Sequence, residues 1–191
     1  MRGRQEADGP LPPAEAPATS FPWFMASILL PRRRLCGMKP FEIRAPRSED
    51  LRALAHLKIE WARIDPRPDG AAEWAYADAL SSWMDRMGDR VVCRIAVLGD
   101  ALVGMGWLVV SERVPDFGDR KRRTGDVQSM YVVPAKRGHG IGRALLDALC
   151  AAADERGLPR VTVRSSPRAV PLYESAGFAT GPTLLDRDRP S

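Results

Sequence analysis

The chain has 191 residues, 45% of them apolar, and a formal net charge of +5, a length that suits one full-sized core and is short for two. Residues 1–40 hold six Lys or Arg against three acids, which leaves 23 against 21 for the rest. A folded part so nearly neutral has no global basic face, and a nucleic-acid partner is not expected.

Cys36, Cys93 and Cys150 are odd in number, widely spaced and form no C-x-x-C pair. Such usage reads as free thiols in a reducing, cytoplasmic setting rather than as a disulfide framework or a zinc site. His56 and His139 are the two histidines, too few for a histidine-rich centre, so no metal is expected. The first forty residues contain seven of the seventeen prolines, including the run PLPPAEAPATSFP, and cannot bury enough apolar surface to fold alone. Residues 1–38 read either as a disordered leader or as sequence ahead of a true start at Met25 or Met38, and 39–191 as the folded domain. The apolar stretch FPWFMASILL is about ten residues, too short to span a bilayer, and Glu6 and Asp8 upstream disfavour a signal peptide. No membrane partner is expected.

From Phe41 onward the pattern is regular. FEIR is a short alternating strand, and Ser48 with Glu49 and Asp50 opens a helix whose apolar side is Leu54, Leu57, Trp61 and Ile64. DPRPDG ends it. A second helix carries Ala72, Tyr76, Ala79, Leu80, Trp83 and Met87 at helical spacing and stops at Gly88. VVCRIAVL and ALVGMGWLVV are two strands joined by Gly99 and Asp100 as a tight hairpin, with Cys93 in its core. A long charged loop runs from Ser111 to Thr124, and DVQSMYVV is the next strand. The helix GRALLDALCAAADERG follows, with Ile141, Leu145, Ala148, Leu149 and Ala152 on one face, Cys150 beside them, and Gly157 and Pro159 as stops. RVTVR is a strand, VPLYESAG a short helix and FAT the start of a closing strand. The order β, α, α, β, β, β, α, β, α, β implies an α/β fold, a mixed sheet with about four helices on its faces.

Between strand and helix lies RGHGIG, residues 137–142. A helix beginning directly after a strand presents unpaired N–H groups and the positive end of its dipole, and glycines there let the backbone approach an anion closely. Arg137 and Arg143 add basic side chains from either side. The mononucleotide loop G-x-x-x-x-G-K-[ST] is excluded, because no Lys is followed by Ser or Thr. The dinucleotide pattern G-x-G-x-x-G fails because Arg143 or Leu145 stands where the third glycine belongs.

What remains is R-x-x-G-x-G at Arg137, Gly140 and Gly142. With MYVVP before it and LYESAGF after it, the stretch resembles the GCN5-related N-acetyltransferase superfamily over about residues 40–186. The resemblance implies a six- to seven-stranded sheet splayed open between its fourth and fifth strands, with acetyl-coenzyme A in the opening and no resident metal. By position it assigns the backbone of Met130, Tyr131 and Val132 to the pantetheine arm and the acetyl carbonyl. Gly138, His139, Gly140, Ile141, Gly142 and Arg143 would wrap the pyrophosphate, with Arg137 beside them.

Acetyl transfer to an amine needs a neutral amine, a polarised carbonyl and a proton for the leaving thiolate. Tyr173 matches the tyrosine that stands beside the sulfur in many members, and a phenol remains protonated at neutral pH. Asp126 resembles a glutamate that serves some members as base, with a shorter reach; a water chain, as in many members, is the alternative, and so is an ordinary edge-strand acid. Alternation is expected to put residues 126, 128 and 130 on one face. Where many members have Asn, this chain has Ser166 followed by Pro167, a departure that leaves either a cofactor contact or a helix N-cap.

The expected activity is direct acetyl transfer in a ternary complex, by a monomer or homodimer, to an amine on a small molecule or protein. A non-catalytic coenzyme-binding sensor is the alternative. By resemblance the acceptor site is shaped by WARIDPRPDGAAEW and SERVPDFGDRKRRTG, whose mixed charges do not choose the acceptor.

Overall fold

The computed structural model describes residues 41–181; residues 1–40, which contain the expected leader, and 182–191 lie outside the described part. The elements are β1 Phe41–Arg44, α1 Leu51–Ala62, α2 Gly70–Met87, β2 Val91–Leu98, β3 Ala101–Glu112, β4 Arg123–Val132, α3 Ile141–Glu155, β5 Val161–Val163 and α4 Val170–Ser175. They build one sheet in the order β1-β2-β3-β4-β5, antiparallel as far as β4 and parallel between β4 and β5. The mixed sheet and four helices agree with the expected fold class. The strand number differs: five strands stand among the described residues, not six or seven.

Among the described residues, FAT (178–180) is not a strand, and the chain just before it has a local geometry of its own. Gly177 and Phe178 donate their N–H groups back to Glu174 and Tyr173 at the end of α4, a helix-terminating arrangement with Gly177 at φ 89°. The Phe178 ring packs edge-on against Tyr173, with centroids 5.6 Å apart. Phe178 is thus tied to the helix, and alternation over three residues is too little to predict a strand.

Helices cover both faces of the sheet. On one side α1 and α2 bury Leu54, Leu57 and Leu80 against Cys93, Ile95, Met105 and Trp107. On the other, α3 packs Leu146, Leu149 and Ala152 over Leu108, Val110 and Val127, and Ile141 and Leu145 over Ala96 and Val103. Gly106 explains how close α3 comes: a Cβ there would collide with the Met130 sulfur and stand 3.0 Å from Leu149 Cδ1.

Two expected stripes shift. In α1 the buried positions are Leu54, Ala55, Leu57 and Ile59, whereas Trp61 is 42% exposed and Ile64 lies beyond the helix. In α2 the buried line is Ala77 and Leu80, with Trp83 and Met84 partly buried; Ala72 and Ala79 face solvent. Both helices present mixed surfaces in which small and aromatic residues suit either environment, so period alone does not fix the rotation. The start of α1 also differs. Ser48 belongs to a 3-10 turn, Ser48–Asp50, and the cap is made by Asp50, whose carboxylate accepts the Arg47 N–H at 2.7 Å and the Arg44 guanidinium through both oxygens.

Candidate active site

The candidate site grows out of an irregularity in β4. Its pairing with β3 runs evenly as far as Trp107↔Gln128 and resumes at Met105↔Tyr131, so Ser129 and Met130 face the single residue Gly106. Ser129 takes up the extra length with φ 48°, a left-handed conformation that is uncommon outside glycine. The bulge exchanges the faces of the strand. Before it, Val127 points to α3; after it, Met130 and Val132 pack on the α3 side while Tyr131 joins the α1 and α2 side. This overturns the expectation that residues 126, 128 and 130 share a face: Asp126 alternates with Val127 and faces away from α3, and Met130 faces it. A strict two-residue period does not survive an inserted residue.

On its other edge β4 pairs with β5 through Gly125↔Val161, Asp126↔Thr162 and Val127↔Val163, and no farther. From Gln128 to Val132 that edge has no strand partner among the described residues, so the two strands part just where the bulge begins. Backbone amides and carbonyls along such an edge are open to an extended ligand.

At the head of the same strand, residues 137–142 lead into α3. Gly140 is its N-cap, at φ 79°, and Gly138 is at φ 77°. A Cβ built on either would meet nothing within 4 Å, so the loop borders open space rather than packed protein. The helix closes its first hydrogen bond from Ala144 N–H to Gly140 O, at 3.0 Å, which leaves the amides of Ile141, Gly142 and Arg143 without intrahelical acceptors. His139 Nδ1 is buried and unpartnered. The amides of Ile141, Gly142 and Arg143 are the donors here that could hold an anionic group.

The two flanking arginines play different parts. Arg137 Nε donates to Val132 O at 2.9 Å, with its guanidinium 5.7 Å from the centre of the Tyr131 ring. Arg143 is committed elsewhere: its Nε bonds Asp147 at 2.7 Å and its Nη1 donates to the Ser175 carbonyl and hydroxyl at 2.8 and 3.0 Å, tying α3 to α4. Gly142 is not in a left-handed conformation; a Cβ there would meet Leu172 and Val132 only at ordinary contact distances. Ser166 stands at the cap of the 3-10 turn Pro167–Ala169, exposed, and its hydroxyl makes no capping bond.

Tyr173 sits on α4, 6% exposed, within the apolar cluster under α3. Burial pushes its phenol above the ordinary value, so it keeps its proton throughout the neutral range. A cavity of about 420 Å³ between β5 and α4 reaches Tyr173, Thr162 and Ser165; none of residues 130–143 lines it, so it is separate from the glycine loop. Asp126 lies on the opposite face, its Oδ2 accepting from Gln128 Nε2 at 2.6 Å and its Oδ1 3.5 Å from Thr162 Oγ1.

The side of the bulge that faces α1 holds residues that sequence reasoning missed. Lys58 Nζ donates to Ser129 Oγ at 2.7 Å and lies 4.4 Å from the centre of the Trp61 ring. Desolvation lowers its pKa below that of an ordinary lysine. Tyr131 OH donates to Glu60 at 3.3 Å, and Glu60 lies 3.6 Å from both His56 and Arg67. Its phenol is pushed up by burial first and by Glu60 next. The sequence signal for Lys58 is slight: one charged residue between the buried Leu57 and Ile59.

A family model described as an acetyltransferase (GNAT) domain matches residues 62–184. The glucosamine 6-phosphate N-acetyltransferase of Trypanosoma brucei brucei is 34% identical over 77 residues, 40% of this chain and 50% of that protein. The mycothiol acetyltransferase of Salinispora tropica is 30% identical over 191 residues, 92% of this chain and 59% of that protein. The chain therefore spans about half to three-fifths of the length of these relatives. Among solved structures, glucosamine-6-phosphate N-acetyltransferase from Arabidopsis thaliana aligns with a TM-score of 0.65 at 16% identity, covering 78% of this chain and 99% of that one. A predicted acetyltransferase from Clostridium acetobutylicum, crystallised with acetyl-CoA, aligns at 0.62 and 21% identity, covering 78% and 96%. At such identities these structures speak for the fold.

Proposed function

Because this chain belongs to the GNAT acetyltransferase family, we propose that it moves an acetyl group from acetyl-coenzyme A directly to an amine in a ternary complex. The observation that carries the reading is the opening between β4 and β5, which begins at the β4 bulge and has the free amides of α3 at the head of the same strand.

Bound there, the coenzyme supplies an activated acyl carbon. The edge of β4 at Met130, Tyr131 and Val132 holds the pantetheine arm and polarises the carbonyl, as preorganised amides do in acyl transfer. Gly138, His139, Gly140, Ile141, Gly142 and the backbone of Arg143 hold the diphosphate, with Arg137 at its flank. Ser166, exposed and with no capping bond, serves the pantetheine arm. Tyr173, kept protonated by burial, gives its proton to the departing sulfur. Asp126 takes the acceptor's proton from the α1 and α2 side through a bridging water, since its short carboxylate is already bonded to Gln128.

The acceptor is an amine-bearing small molecule. Two relatives are named for glucosamine 6-phosphate and for mycothiol, which supports a small acceptor over a protein. The free thiols of Cys93 and Cys150 suit a reducing, cytoplasmic compartment, and no helix among the described residues is long and apolar enough to cross a membrane.

Calorimetric titration of the full chain with acetyl-CoA, followed by thiol release over a panel of amines, tests the proposal. Micromolar binding, about −8 kcal/mol, together with amine-dependent thiol release, is expected. A folded protein that binds no coenzyme overturns it.

A further inference from the structure

Lys58 is the one lysine among the described residues that is drawn into the fold beside the bulge. Its ammonium is half-buried and bonded to Ser129 Oγ, the residue immediately before Met130. Trp61 covers it on one side. Among the described residues no carboxylate pairs with it, and Glu60 and Glu73 of α1 and α2 are held by Tyr131, His56 and Arg67. Its partners are thus one hydroxyl and one aromatic face, neither of them an anion, which leaves the amine without the carboxylate that a structural lysine at such a place ordinarily has.

Its place is chemical as well as structural. The α1 side of the β4 bulge is where the acceptor amine must approach a carbonyl held at Met130, and Lys58 Nζ is an amine already there. An ordinary alkyl ammonium is neutral in only about one molecule in 10³ at pH 7. Desolvation enlarges that fraction for Lys58, since a lowered pKa means that more of the amine is free at a given pH.

We propose that Lys58 is an internal acetyl acceptor, so that the chain acetylates itself when acetyl-coenzyme A is bound and no external amine competes. The inference rests on the acetyltransferase reading above. In the step the Lys58 nitrogen forms a bond to the acetyl carbon, the carbon–sulfur bond breaks, and the sulfur leaves with a proton as coenzyme A thiol. The second proton of the reacting ammonium goes to solvent. The product is an amide on Lys58 with no charge, which removes the cation beside the bulge and the stacking on Trp61. Self-modification would thus change the charge that an incoming acceptor meets.

The full chain is incubated with acetyl-CoA without any amine and digested for mass spectrometry, while coenzyme binding is measured on the same sample by calorimetry. The expected result is one acetyl group on the peptide bearing Lys58, at least tenfold above the occupancy of Lys121 and Lys136. The rate per molecule should not change with protein concentration, as an intramolecular step requires. Lys58→Arg, which retains the cation, should bind coenzyme equally and remain unmodified at residue 58. If coenzyme binds and Lys58 stays unmodified, or label spreads evenly over Lys121 and Lys136, the inference falls and the acetyltransferase reading stands. If label on Lys58 accumulates faster in proportion to protein concentration, the transfer is between molecules and the internal role is lost. If no coenzyme binds, both fall together.

Discussion

Tyr173 packs in the cluster under α3, whereas Asp126 faces away from α3 opposite Thr162, two residues before β4 and β5 part. In the proposed transfer, Tyr173 meets the leaving sulfur from one side and Asp126 the incoming amine from the other. Replacing Tyr173 with Phe keeps the ring that packs on Phe178 and removes only the hydroxyl, so coenzyme affinity should hold while turnover falls about 10²-fold or more; steady-state kinetics and calorimetry read the two separately. Burial raises the Tyr173 pKa, so deprotonation of this phenol should not limit turnover below about pH 10. Asp126→Asn has a different signature. Turnover should fall at least tenfold near pH 7 and approach that of the parent as the pH nears the pKa of the acceptor, because a free amine no longer needs a base. A loss of equal size across the whole pH range would remove Asp126 from that role.

At the level of elements, the start of α3 is held by backbone geometry. Gly140 is in a left-handed conformation at the N-cap, where a β-branched side chain is strained. Gly140→Val should therefore weaken coenzyme binding by tenfold or more while the body of α3, anchored by Leu145, Leu146 and Leu149, retains its helical circular dichroism. The start of α1 depends instead on charge. Asp50 is buried, bonded through both carboxylate oxygens to Arg44 and through one to the Arg47 amide, and the Arg44 bond is the leading cause that holds its pKa below the usual range. A depressed folded-state pKa means that the stabilisation is present above the unfolded value, about 3.9, and is lost as pH falls through the folded one. Asp50→Asn should lower the urea midpoint at pH 7, and the gap between variant and parent should shrink steadily below about pH 4.

Across the whole molecule, the sheet is closed by packing on the α1 and α2 side and on the α3 side, but it parts between β4 and β5. A ligand that occupies that opening is bound only by the folded chain. Coenzyme at a hundred times its dissociation constant should add about 2.7 kcal/mol to stability, which for a domain of this size raises Tm by roughly 5–10 °C. Scanning calorimetry with and without acetyl-CoA checks this; an unchanged Tm would mean that the opening holds no coenzyme. Lys58 and Ser129 belong to this scale too, since 71 residues separate two side chains that are 2.7 Å apart.

Much of the fold is legible in local sequence. The hairpin at Gly99 and Asp100, the α3 stripe of Ile141, Leu145, Leu149 and Ala152, and the glycines ahead of that helix all follow from periods and turn chemistry acting over a few residues. The rotation of α1 and α2 is not, because their mixed surfaces leave more than one face able to pack. The β4 bulge is not either, since an inserted residue is defined only against its partner strand, and with it went the expected neighbourhood of Asp126 and Met130. Arg143 reads as an anion ligand until α4 brings Ser175 within reach. Local periods and backbone preferences determined which segments became strands, helices and a glycine turn. Contacts between residues far apart in the chain decided which way β4 faces after Ser129 and which cation lies beside the bulge.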